Sequence, residues 1–68
     1  MGQSSERAYW MAVAKRWDDR AAMYERQAAI SRATGREGYA AEDDLVAADA
    51  RKAAAQCREL AQGAVVTA

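Results

Sequence analysis

Apolar residues recur at alternating intervals of four and three through the first half of the chain: Trp10, Ala14, Trp17, Ala21, Tyr24 and Ala28. This spacing holds one stripe on one side of a helix and marks the seam of a helix lying along another. A second stripe with the same intervals follows at Val46, Ala50, Ala53, Cys57, Leu60 and Ala64. Between the two lies Thr34-Gly35-Arg36-Glu37-Gly38, the glycine-rich stretch of the interior. The pattern predicts an all-α chain, an antiparallel two-helix hairpin with helices over about 5–34 and 39–63.

End signals agree with these bounds. Ser4 or Ser5 can cap the first helix, with Glu6 in its first turn, where the helix dipole favours an acid. No Pro or Gly interrupts the run from Glu6 to Ala33, a helix of roughly 28 residues and about 40 Å. Gly35 suits the left-handed position after a helix end, and Arg32 supplies a cation to the last turn. Gly38 can open the second helix, whose start carries Glu42, Asp43 and Asp44 and whose later turns carry Arg51, Lys52 and Arg58. Gly63 reads as a stop. Residues 1–4 and 65–68 read as frayed tails of a single domain spanning 1–68.

The two stripes can be set against each other. With facing positions summing to 74, Trp10 meets Ala64, Ala14 meets Leu60, Trp17 meets Cys57, Ala21 meets Ala53, Tyr24 meets Ala50 and Ala28 meets Val46. Large residues then oppose small ones, as close packing without voids requires. On this register Trp17→Ala removes a buried indole and costs roughly 3–5 kcal/mol.

Composition adds a constraint. Nineteen of the 68 residues are alanine, against two leucines, one isoleucine and no phenylalanine. Alanine buries little area, and chains this short draw extra stability from disulfides, metals or assembly. One cysteine and no histidine leave neither an internal disulfide nor a zinc site to build from. Self-association into a four-helix bundle, most simply a homodimer, is the expected remedy. The apolar residues outside the stripes supply surfaces for it: the band Ala40, Ala47, Ala54 and Ala61 with Leu45 on the second helix, and Met23 and Ile30 on the first. Tyr9 and Tyr39 have no place in the seam and read as contact residues.

Charge and chemistry narrow the function. Ten basic residues balance ten acidic ones, which removes the simplest case for nucleic acid. No run of about twenty apolar residues crosses a membrane, and the N-terminus lacks the regions of a signal peptide. A cytoplasmic location is expected, and the richness in Ala and Arg points to a high-GC bacterial or phage genome. Cys57 reads as a packing residue. Asp18-Asp19 and Glu42-Asp43-Asp44 are the only acidic clusters, and adjacent helical residues diverge by about 100°, so they read as solvated or capping groups. Nothing suggests a catalytic, cofactor or metal site.

The sequence therefore points to a non-catalytic hairpin that self-associates and binds another protein, as a regulator, adaptor or inhibitor. Its working surface is expected at the turn end, with Arg32, Arg36, Tyr39 and the acidic start of the second helix. One alternative is a nucleic-acid-binding dimer using Lys15, Arg16 and Arg20, which resembles the Rop proteins in inferred architecture while sharing no motif with them. A second is a structural subunit of a larger assembly, packed through the alanine band. Both tryptophans lie within a helix and none in the turn, which sets the chain apart from hairpins with a Trp-x-Gly turn.

Overall fold

The computed structural model describes residues 2–66, with side chains described over 5–63. Two α-helices, α1 (Gly2–Ala33) and α2 (Glu37–Val66), pack against each other in an antiparallel hairpin. The molecule is long and thin, 52 × 13 × 9 Å along its principal axes. No helix among the described residues is long and apolar enough to cross a membrane.

The turn is three residues long, because α1 closes in a Schellman motif. Gly35 takes a φ of +78°, a left-handed conformation that costs a residue with a Cβ about 1–2 kcal/mol. It allows the Arg36 amide to donate to the Ser31 carbonyl (2.7 Å) and the Gly35 amide to donate to the Arg32 carbonyl (3.1 Å), satisfying two carbonyls the helix end leaves free. The Thr34 hydroxyl also donates to the Ile30 and Ser31 carbonyls. The Arg36 carbonyl then accepts from the Ala40 amide, so Arg36 is the cap and Glu37 the first helical residue. Gly38 lies inside the first turn rather than ahead of it.

This early start moves the register. Ala33 and Glu37 flank the turn, so residues level with each other have numbers summing to about 70 rather than 74. The stripe expected on α1 holds: Ala14, Ala21 and Ala28 are buried, with Trp10, Trp17 and Tyr24 half-buried beside them. On α2 the stripe is rotated. Ala40, Ala47, Ala54 and Ala61 are buried along with Ala50 and Cys57, while Val46 and Leu60 stand 40% and 49% exposed. The alanine band assigned to an assembly surface is therefore the seam itself, and three expected seam residues, Val46, Leu60 and the half-buried Ala53, lie outside it or at its edge. The expected Trp10–Ala64 layer falls beyond the described side chains.

Space explains the rotation. Two tryptophans and a tyrosine line one side of α1, and they fit only beside small residues. One cluster joins Ala14, Ala54 and Cys57 under Trp10, Val13 and Trp17, and a second joins Ala21, Ala47 and Ala50 under Trp17 and Tyr24. The core is thin: among the residues with described side chains, the nine buried ones are eight alanines and one cysteine.

Both helices outrun their expected ends. Residues 2–4 and Val65–Val66, expected as tails, are helical, and Gly63 does not stop α2. Residues 1, 67 and 68 lie outside the described residues.

The rotated seam makes a sharp distinction between neighbouring alanines. Ala54 is fully buried and Ala55 exposed. Ala54→Leu should destabilise the hairpin by about 1–3 kcal/mol through overpacking, whereas Ala55→Leu should stay within about 0.5 kcal/mol of the parent. Urea unfolding followed by circular dichroism measures both, and equal midpoints would contradict the seam.

Candidate functional site

The two faces of the hairpin differ in kind. Heptad spacing sets Asp18, Glu25 and Arg32 along one flank of the α1 seam, and Asp44, Arg51 and Arg58 along the matching flank of α2. These six residues interlock across the helices. Arg51 reaches Glu25 with two nitrogens, at 2.8 and 3.3 Å, and Asp18 at 3.1 Å. Arg58 donates to the other oxygen of Asp18, and Arg32 to Asp44, with Glu37 3.9 Å from the Arg32 Nε. The face is closed by a charge ladder.

The ladder perturbs its own groups. Hydrogen bonding from Arg58, and then from Arg51, holds the Asp18 carboxyl below its ordinary range against partial desolvation. Arg51 does the same to Glu25. In return Asp44 raises the Arg32 guanidinium, and Glu25 followed by Asp18 raises that of Arg51. Asp18, expected as a solvated or capping group, instead pairs across the helices together with Glu25, and their seven-residue spacing beside the seam is the signal for it.

The opposite face is apolar and open. Trp10, Val13, Trp17 and Ala53 are half-buried there, beside the exposed Val46 and Leu60. Tyr9 meets Trp10 edge to face, centroids 5.0 Å apart. A surface groove of about 450 Å³ is lined by Val13, Arg16, Trp17 and Arg20, and the Arg20 guanidinium lies 5.6 Å from the Trp17 ring centre, within cation–π range.

The remaining candidates fall as follows. Tyr9, Met23, Ile30, Tyr39 and Leu45 are exposed and available for contact. Ala40, Ala47, Ala54 and Ala61 are inside the seam and reach no outside partner in this hairpin. Lys15 is paired with Asp19 at 3.0 Å, so of the basic trio only Arg16 and Arg20 line the groove. At the turn, Gly35, Arg36, Glu37, Gly38, Tyr39 and Glu42 line a second, shallower groove of about 370 Å³. Cys57 is a free, buried thiol. Among the described residues, no three acidic or thiol side chains converge on a point where a metal could sit.

The lowered carboxyls give the ladder a pH signature. The unfolded chain takes up protons on Asp18 and Glu25 near pH 4, before the folded chain does. Their stabilising contribution is therefore complete above that pH and lost as pH falls through the lower folded values. Thermal melts between pH 7 and pH 3 should show a marked acid decline in the parent. The Asp18→Asn/Glu25→Gln double variant should melt lower at pH 7 and decline less steeply; parallel curves would mean that the ladder contributes nothing.

The chain matches no family model, no curated protein and no solved structure, so its function rests on the two faces and the turn described above.

Proposed function

We propose that this chain is a small non-catalytic helical protein that associates with itself into a four-helix bundle and acts by binding another protein, as a regulator, adaptor or inhibitor. The contrast between its two faces carries the reading. One face is closed by ion pairs, while the other leaves tryptophan, valine and leucine partly or largely uncovered above a core of alanine and a single cysteine. Apolar surface held in water is unfavourable by about 25 cal/mol per Å², and a second helical layer removes it.

The total surface supports the same view. The hairpin exposes 4996 Å², against about 4,200 Å² expected for a compact monomer of its 7.4 kDa mass. The excess is close to the roughly 800 Å² that one partner covers in a standard interface.

For the second partner, the turn end is the better surface. Exposed Tyr39 stands beside Arg36 in the shallow groove, and tyrosine and arginine are among the residues that most often anchor protein contacts. The nucleic-acid alternative draws less support. Positive and negative charges balance, Lys15 is held by Asp19 and Arg20 lies against Trp17. A structural subunit built on the alanine band loses its surface to the seam.

Sedimentation equilibrium at low micromolar concentration is expected to give twice the 7.4 kDa chain mass, with a melting temperature that rises with concentration. A monomer that remains helical and unfolds cooperatively would overturn the self-association.

A further inference from the structure

We infer that the second copy lays its α1 beside α2 of the first, with both turns at the same end of the bundle; this deepens the self-association proposed above and rests on it. The open face is unevenly charged. On the α1 side it carries Tyr9, Met23 and Ile30 with Arg16 and Arg20, and on the α2 side Leu60, Val46 and Tyr39 with Glu42 and Asp49. Heptad spacing places both sets away from the charge ladder, and all of them are exposed. Apart from Glu6 near the start of α1, one side is basic and the other acidic. Among the described residues, neither Arg20 nor Asp49 forms an ion pair within the chain.

Two closed arrangements can cover this face with a second copy. A two-fold axis parallel to the helices preserves height, and so lays the partner's α1 antiparallel to α2 with levels still summing to about 70. The partner's Tyr9 and Met23 then come level with Leu60 and Val46. Among the described residues, these four belong to the eight large apolar residues that the hairpin leaves exposed. The same operation sets the partner's Arg20 beside Asp49. A two-fold axis across the helices would instead lay α1 on α1, bringing Arg16 and Arg20 onto the partner's Arg20 and Arg16. Like charges in that position are repulsive, so the charge pattern selects the first arrangement. The two turn grooves then open at one end of the bundle, side by side.

Spin labels on Arg36→Cys in a Cys57→Ala background test this directly by double electron–electron resonance. Turns at the same end place the labels within roughly 20–30 Å, two helix spacings of about 10 Å plus the label arms. Turns at opposite ends place them apart by about the 52 Å length of the hairpin. A second measurement keeps the native thiol. Arg20→Glu and Asp49→Arg should each raise the dimer dissociation constant about tenfold, and the double reversal should restore it to within a few-fold. A long label distance, or a dimer indifferent to the reversals, would overturn the arrangement and leave self-association standing. A folded monomer of the unaltered chain would overturn both, and would free the face for a different protein.

Discussion

The close approach of two helices along an alanine seam sets the terms for everything else in this molecule. Ala40, Ala47, Ala54 and Ala61 present only methyl groups to α1, so the backbones come near enough for Trp10, Trp17 and Tyr24 to lie across the neighbouring helix. The cost is a weak hydrophobic term. A buried methyl contributes about 0.8 kcal/mol, against 1.5–3 kcal/mol for a leucine or valine side chain. The aromatics are too large to sink into so shallow a groove and remain half-buried. A tight seam and an incomplete core have one cause.

With so little shape information in the seam, charge carries much of the register. An alanine stripe fits another helix almost equally well when slid by one turn or rotated slightly, because each methyl resembles the next. The ladder of Asp18, Glu25 and Arg32 against Asp44, Arg51 and Arg58 breaks that degeneracy. Arg51 bridges two carboxylates a heptad apart, so a shift of one turn would draw it away from one carboxylate or the other and disturb the bridge. Exposed pairs contribute only about 0–1 kcal/mol each, yet discrimination between registers needs only differences of that size. The turn adds a second constraint, since the Schellman closure at Gly35 leaves three residues between the helices and no slack.

How much of this was legible in the sequence follows from the same facts. Helix α1 was readable because tryptophan, tyrosine and alanine alternate distinctly along one stripe. The phase of α2 was not, because alanine occupies nearly every candidate position: Ala40 and Ala41, Ala47 and Ala48, Ala53 to Ala55. Where the small residue is everywhere, only the large ones mark a stripe, and Val46 and Leu60 mark one that is not the seam. Size fits large residues for a core only when the facing helix is small, and here the facing helix carries the aromatics. Gly38 hides the true start of α2, since a glycine in the first turn of a helix resembles a boundary. The charges flanking the seam held the correct phase throughout, because only one rotation of α2 brings Arg51 and Arg58 over Asp18 and Glu25.

The displaced Val46 and Leu60 then acquire a meaning that an internal seam would have denied them. They stand on the face opposite the ladder, together with the uncovered sides of Trp10, Val13 and Trp17, and in the proposed dimer they complete the core that the alanine seam leaves unfinished. Folding and assembly are then one equilibrium, because the apolar area needed for stability is divided between the chain and its copy. A protein that competed for this face would have to separate the hairpins and would meet a marginal monomer. A protein that docked at the turn would leave the bundle intact and would find two copies of Arg36 and Tyr39 at one end. The second route costs no unfolding, which is why the proposed function assigns partner binding to the turn and self-association to the helices.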